Sequence, residues 1–164
     1  MVLSYSLIGM VAALPLLLYE FGIPSTTYHW ALSIISPILF GLSAFFSYKA
    51  YKLVDASVVG LVSRVNIVVS AILGMIFFNE VLQGVGLLGL ALVLIGSLVI
   101  MYEGKRIRLV KGVGYALLMG AIYGLLVVID KVVIEQFSPF TYVIFNNLIV
   151  VIMFSFITEA RANL

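Results

Sequence analysis

The chain contains little charge and no cysteine. Only 10% of its 164 residues are charged, against about 25% in an ordinary soluble domain, and 64% are hydrophobic. The absence of cysteine excludes disulfides, thiolate metal sites and cysteine nucleophiles. A lone histidine and a formal net charge of +2 favour neither a metal centre nor nucleic-acid binding. This composition predicts an all-α integral membrane protein.

Sequence patterns that carry enzymatic chemistry are also scarce. Gly41-Leu-Ser-Ala44 matches a serine-nucleophile turn only loosely, and His29 is expected near the opposite membrane face. No acidic pair with ligand spacing, phosphate-cradling loop or haem-type histidine pair occurs in the sequence. We therefore expect no enzymatic activity, no catalytic residue, no metal and no cofactor.

Long apolar runs make up most of the chain. A bilayer core about 30 Å thick requires about 20 apolar residues in a helix. Pro15 and Pro37 fall inside such runs, where neighbouring helices can satisfy the carbonyls that a kink frees. Short linkers separate the runs, and together they predict a polytopic bundle of about six transmembrane helices. The predicted spans are Leu3–Phe21, Trp30–Ala50, Ala56–Phe78, Leu82–Tyr102, Val113–Ile129 and Phe140–Ile157.

Basic residues give the orientation. If the helices alternate in direction, Lys131 lies on one side of the membrane and Arg64 lies within a span. The opposite side carries Lys49, Lys52, Lys105, Arg106, Arg108, Lys111 and Arg161. Lys and Arg concentrate on the cytoplasmic side of membrane proteins. We expect a multi-pass protein of the cell membrane, with both ends of this chain cytoplasmic.

Two distant segments resemble each other. Tyr5–Glu20 and Tyr142–Glu159 both have an aromatic start, an apolar span and a terminal glutamate. Five helices separate equivalent points, so the two copies are expected in opposite orientations. Inverted repeats of this kind are typical of secondary transporters.

Small residues recur on one face of two predicted helices. This spacing predicts close helix packing, because small side chains let two backbones approach. An alternative interpretation is that these faces slide during a transport cycle. The residues are Ala56, Gly60, Ser63, Ser70 and Gly74 in the third span, and Gly112, Ala116, Gly120 and Gly124 in the fifth.

Polar side chains within the spans are the candidates for function. Arg64 lies about 12 Å from the cytoplasmic end of the third span, where a charge costs about 2.5–3.5 kcal/mol. Two interpretations remain open for Arg64 and Asn66: hydrogen bonding between helices, or the lining of a cavity that receives a polar or anionic solute. Asn146 and Asn147 point about 100° apart, so one is expected to bond across helices and the other to line a cavity. Tyr123 either stacks on a ligand or packs.

The middle of the chain resembles a known family. VSRVNIVVSAILGMIFFNE, followed by GLALVLIGSLVI, is similar to helices four and five of the EamA-type drug/metabolite transporters. Glu80 matches that family's glutamate, Gly89 and Gly96 match its fifth-helix glycines, and Lys131 matches a recurrent lysine. Asn66 stands near a frequent proline of the pattern, and this departure leaves the local helix geometry open.

The resemblance implies ten helices in two inverted five-helix repeats that move small metabolites or drugs by alternating access. It assigns residues 1–104 to the first repeat, without its first helix, and residues 105–164 to the start of the second repeat, without its last three helices. Three interpretations follow for such a six-helix chain: a truncated product, one half of a split transporter, or a remnant.

We therefore predict secondary transport of a small organic solute, with a substrate site formed by Arg64, Asn66, Tyr123 and Asn146. Arg64 would contact an anionic group, and the two asparagines would supply hydrogen bonds. The expected partners are the solute, the lipid bilayer, and a second copy or a complementary half-transporter, with no nucleic acid. The rival hypotheses are a non-transporting scaffold or assembly subunit, and a small dimeric multidrug exporter. The exporter would require a carboxylate within its first helix, whereas Glu20 lies at a helix end.

Overall fold

A computed structural model describes residues 2–18, 20–81, 83–103, 106–107 and 111–162. The described chain is almost wholly helical, which confirms the predicted all-α membrane bundle. A short antiparallel pair, Tyr102–Glu103 with Arg106–Ile107, follows the fifth α-helix. The α-helices are α1 (Val2–Ala13), α2 (Thr27–Tyr51), α3 (Ala56–Val62), α4 (Val65–Phe78), α5 (Gly84–Met101), α6 (Lys111–Val133) and α7 (Pro139–Ala162).

Helices occupy all six predicted spans. Within the described residues, three helical stretches are long and apolar enough to cross a membrane: Thr27–Tyr51, Ala56–Phe78 and Lys111–Val133. Ser4–Leu18, Gly84–Gly96 and Pro139–Ser155 form shorter apolar helices in the other three spans. The bounds predicted for the fifth span were too narrow, because α6 continues at both ends to a length of 23 residues.

The two prolines have different effects on their helices. The α1 helix ends at Ala13, and the chain tightens into a 3₁₀ helix at Leu14–Leu18, which contains Pro15. Pro37, by contrast, is buried inside the continuous helix α2. One turn before it, the Ser33 hydroxyl donates to the carbonyl oxygen of Trp30 at 2.8 Å.

The helices form two compact units, which are described separately. The terminal unit consists of Met1–Gly41 and Ile129–Leu164. In it, α1 packs along α7. Its core is aromatic: Phe137 is buried, and its ring centroid lies 5.4 Å from that of Trp30 and 5.7 Å from that of Tyr142.

Backbone and side-chain hydrogen bonds join two loops of the terminal unit. The Ser138 N–H donates to the Gly22 carbonyl at 3.2 Å, and the Ser138 hydroxyl donates to the Glu20 carbonyl at 3.0 Å. The Gly22 N–H donates to the hydroxyl of Thr141 at 3.3 Å. Trp30 extends this contact, because its indole N–H donates to the Pro24 carbonyl at 3.1 Å. The loop before α2 is therefore held against the start of α7.

The central unit consists of Leu42–Val128. One cluster of buried residues in it consists of small and β-branched side chains: Ala50, Val59, Val62, Val113 and Ala116. Both α3 and α4 pack against α5, yet Val85 and Leu92 of α5 remain 83% and 69% exposed. Such exposure suits a membrane helix, since lipid tails are as apolar as leucine.

Candidate functional site

The third predicted span is interrupted at Ser63 and Arg64, between α3 and α4. Both residues keep right-handed dihedrals, with φ and ψ of −64° and −15° for Ser63 and −61° and −9° for Arg64. The backbone hydrogen bonds here span three residues instead of the usual four. The Asn66 N–H donates to the Ser63 carbonyl at 3.0 Å, and the Ile67 N–H donates to the Arg64 carbonyl at 3.0 Å. We call residues 63–64 the helix break.

Local chemistry favours the helix break at this position. The Ser63 hydroxyl donates to the carbonyl of Gly60, three residues earlier, at 3.0 Å. Such bonds from a serine to its own helix often bend it, and Gly60 is the poorest helix former other than proline. Asn66 retains the N–H that a proline would lack. The helix nevertheless changes its bonding here, in the absence of a proline.

Glycines of α6 pack against the backbone at the helix break. A Cβ atom added to Gly120 would lie 2.6 Å from the carbonyl oxygen of Ser63, and one added to Gly124 would lie 2.7 Å from that of Asn66. These distances are far below van der Waals contact, so only glycine fits. We call these two contacts the glycine seam. They confirm the close packing predicted for the small-residue face of α6.

The rest of the predicted small-residue faces behaves less uniformly. On α6, a Cβ atom added to Gly112 would lie 2.8 Å from the Cβ of Leu53. Ala116 is fully buried. On α3, by contrast, nothing lies within 4 Å of a Cβ added to Gly60. On α4, a Cβ added to Gly74 would meet a carboxylate oxygen of Glu80 at 2.8 Å. Backbone contact is therefore specific to the glycine seam.

Three of the predicted site residues lie in the central unit. The Arg64 side chain is exposed at the helix break, and the Tyr123 side chain is 38% exposed on α6. Asn66 is half-buried, and its side-chain oxygen has no hydrogen-bond partner among the described residues. Tyr123 directly precedes Gly124, the glycine that contacts the backbone of Asn66. The backbone of α6 next to Tyr123 therefore contacts the backbone of α4 at Asn66, two residues after Arg64.

The fourth predicted residue, Asn146, lies in the terminal unit. Its amide nitrogen lies 3.5 Å from the hydroxyl of Tyr142, one turn earlier on α7. The neighbouring Asn147 donates to the Val143 carbonyl at 2.8 Å, also within α7, and lies against Gly9 of α1. Both amides thus donate within their own helix, so the expectation that one of them bonds directly across helices is wrong for the described residues.

A polar cluster forms where α2, α6 and α7 meet in the terminal unit. Ser36 of α2 donates its hydroxyl to Oδ1 of Asp130 at 2.5 Å, and Tyr142 of α7 donates to the same oxygen. Ser36 and Tyr142 are buried, and Asp130 is half-buried. We call Ser36, Asp130, Tyr142 and Asn146 the Asp130 cluster.

Sequence reasoning placed Asn146 in the site but overlooked the other members of the Asp130 cluster. The predicted fifth span ends at Ile129, which would place Asp130 beyond the end of the helix. The helix continues to Val133, so Asp130 lies within α6. The residues after Ile129 include Val132, Val133 and Ile134, and this second apolar run was the available signal that the helix continues.

An open groove runs along α6. It has a volume of about 630 Å³, and the described residues that line it all belong to α6, with Gly114, Tyr115, Leu118 and Ala121 among them. None of the four predicted site residues lines it. Within the part of the chain that the structure describes, no group of three or more His, Asp or Glu side chains is arranged to hold a metal ion.

A family profile for the EamA-like transporters matches residues 1–102, which extend from α1 through α5. The chain belongs to the EamA-like transporter family. Neither the comparison with curated proteins nor the comparison with solved structures found a match. As an EamA-like protein, the chain is a multi-pass membrane protein of the drug/metabolite transporter superfamily, whose members are transporters rather than enzymes.

Glu80, the glutamate that matches the EamA-like pattern, follows the C-terminal end of α4. Asn79 ends this helix in the left-handed conformation, with φ of 52° and ψ of 32°, which is common at helix ends. Glu80 follows, and its carboxylate lies against Gly74 of α4. The small residue at position 74 therefore gives room to the family's glutamate.

Proposed function

We propose that this EamA-like chain takes part in secondary transport of small organic solutes by alternating access, and that its substrate site includes Arg64, Asn66, Tyr123 and Asn146. The observation that carries the proposal is the helix break. It lies within one membrane-spanning segment that carries the Arg64 guanidinium and, two residues further on, the Asn66 amide, whose oxygen has no hydrogen-bond partner among the described residues. Broken helices are common at the substrate sites of secondary transporters.

The charge at the helix break favours an anionic group. The N–H groups of Asn66 and Ile67 at the start of α4 already donate to Ser63 and Arg64, so the charge at the helix break is that of the Arg64 side chain. The guanidinium carries a full positive charge and several donors. A carboxylate or phosphate of the solute would pair with it. An uncompensated charge in a span is costly, so a bound anion would stabilise this segment.

The Asn66 side chain adds a second requirement. A buried acceptor that lacks a partner costs about 1–3 kcal/mol, which a donor on the solute would recover. The solute that fits both groups is a small carboxylate that also carries an N–H or O–H group, such as a hydroxy acid or the zwitterion of an amino acid. Tyr123 would contribute an aromatic surface and Asn146 a further amide, in line with their exposure and half-burial.

The arrangement of the whole transporter is also part of the proposal. Residues 1–104 would form part of the first repeat and residues 105–164 the start of the second, with both ends of this chain cytoplasmic. A second copy or a complementary half-transporter would complete the substrate cavity.

Exchange across a membrane tests the role of Arg64. The purified chain is reconstituted in liposomes, and uptake of radiolabelled amino acids and hydroxy acids is measured against the same unlabelled solute inside. We expect Arg64→Ala to lower uptake about 10- to 100-fold, because a hydrogen bond to a charged group contributes about 1.5–3 kcal/mol. Lys52→Ala is the matched control, since it removes a cation that packs over the Tyr48 ring. Equal uptake by wild type and Arg64→Ala, with equal thermal stability, would overturn the assigned role.

The same assay addresses the rival hypothesis. A non-transporting scaffold is held together by small-residue contacts, and the glycine seam would serve it equally well. Folded wild-type protein that exchanges none of the solutes, at any protein-to-lipid ratio, would favour the scaffold. Exchange that depends on Arg64 would exclude it.

A further inference from the structure

The Asp130 cluster places a carboxylate inside a membrane-spanning helix with only neutral partners. Asp130 lies three residues before the end of α6, about 4.5 Å from it along the axis. Both of its hydrogen bonds, from Ser36 and Tyr142, fall on Oδ1. Within the described residues, no basic side chain forms an ion pair with it. A carboxylate in this setting is costly to keep charged, and such residues commonly belong to proton relays.

The partners of Asp130 can serve both of its protonation states. Serine and tyrosine hydroxyls donate and accept hydrogen bonds, and their protons rotate freely. When Asp130 is charged, the hydroxyls of Ser36 and Tyr142 both donate to it. When it is protonated, the carboxyl becomes a donor and one hydroxyl can accept, while the Asn146 amide keeps its contact with Tyr142. The cluster can therefore gain and lose a proton without breaking up.

The helices around Asp130 carry few other titratable groups. On α2, His29 lies two turns before Ser36, and its Nδ1 is buried without a hydrogen-bond partner among the described residues. On α6 and just after it, Lys131 and Glu135 are exposed, and on α7 the nearest group is Tyr142 itself. His29 is therefore the group that a control variant must remove.

We propose that Asp130 is the proton-binding site that couples solute movement to the proton gradient in this protein. The inference rests on the proposed transport function. A proton binds the Asp130 carboxylate on one side of the membrane, neutralises it, and leaves from the same group on the other side. If the solute is an organic anion, one proton and one solute move together without net charge. Each unit of pH difference would then drive about tenfold accumulation of solute.

Two transport measurements separate this inference from the proposed function. The first is exchange of radiolabelled solute at equal pH on both sides. The second is accumulation of the same solute driven by a pH difference of one unit, with pyranine inside the liposomes to report the internal pH. We expect wild type to do both. Asp130→Asn keeps the shape and the acceptor oxygen, so we expect it to retain exchange and lose the accumulation. His29→Gln and Glu135→Gln are the controls and should retain both activities.

The outcomes overturn different statements. Wild type that exchanges solute without pH-driven accumulation, or whose accumulation requires Na⁺ instead of a pH difference, overturns the proton site and leaves the transport proposal standing. Wild type that does neither overturns the transport proposal. Retention of pH-driven accumulation by Asp130→Asn also overturns the proton site.

A measurement on the protein alone makes the test independent of the solute. Infrared difference spectra recorded across a pH titration report a carboxyl group as it gains its proton. We expect a band that Asp130→Asn removes and His29→Gln keeps. If Asp130→Asn does not fold, Asp130→Glu keeps the carboxyl and should move the band without abolishing it. A spectrum unchanged by either variant overturns the proposal.

Discussion

The terminal unit and the central unit hold their helices together by different means. In the terminal unit, side chains bridge helices, as when Ser36 and Tyr142 both donate to Asp130. In the central unit, the closest approaches are between glycines and backbone, at Gly120 and Gly124. Hydrogen bonds between membrane helices average only about 0.6 kcal/mol, whereas a steric overlap with backbone cannot be relieved locally. The central unit should therefore be the less tolerant of small substitutions.

This difference also matches the roles that we propose for the two units. A glycine seam fixes the position of a neighbouring backbone, which is useful beside a helix break that must present Arg64 accurately. A cluster of hydroxyls around a carboxylate can change its hydrogen bonds at small cost, which is useful for a group that binds a proton. Rigid packing and adjustable polar contacts thus occur where each is needed.

The largest effect is expected when the glycine seam is filled. Gly120→Ala places a methyl group 2.6 Å from the Ser63 carbonyl, so α6 must move. We expect the free energy of unfolding in detergent or bicelles to fall by about 1–3 kcal/mol, as for other overpacked cores. Gly114→Ala is the matched control on the same helix, because nothing lies within 4 Å of its added Cβ. That variant should be neutral or more stable by up to about 1 kcal/mol, from helix propensity. An equal loss of unfolding free energy in both variants would show that the contacts of the glycine seam do not set the cost.

A smaller effect is expected when the Asp130 cluster loses one hydroxyl. Tyr142→Phe and Ser36→Ala each remove one donor to Asp130. We expect each to lower the free energy of unfolding by about 0.6 kcal/mol, and by no more than about 1.7 kcal/mol. The double variant, compared with the two single ones, measures how strongly the two hydroxyls depend on each other. A loss greater than that of Gly120→Ala would reverse the ranking of the two units.

The smallest effect is expected at Gly74, within the central unit itself. An alanine there would meet the end of the Glu80 side chain at 2.8 Å, a contact as close as those of the seam. The atom it meets belongs to a flexible side chain at an exposed position, which can rotate away. We therefore expect Gly74→Ala to change the free energy of unfolding by less than about 0.5 kcal/mol. A loss as large as that of Gly120→Ala would show that overlap distance, rather than the nature of the neighbour, sets the cost.

Much of the fold could be predicted because a bilayer imposes a length and an apolar character on each helix. Helices occur in all six predicted spans, and the spacing of Gly120 and Gly124 correctly indicated close packing. The helix break was not predicted, because the sequence around Ser63 and Arg64 remains apolar enough for a continuous helix. The roles of Arg64, Asn66, Tyr123 and Asn146 in binding a solute stay predictions.

The sequence by itself determined that this is a helical membrane protein of the EamA-like family, since apolar length and local motifs are properties of contiguous residues. Only the tertiary structure decided that Ser36, Asp130 and Tyr142 meet, because they lie 94 and 12 residues apart along the chain on three helices. No local pattern shows which polar side chain of one helix will face another. That choice depends on how the helices rotate and cross, which is set by their packing as a whole.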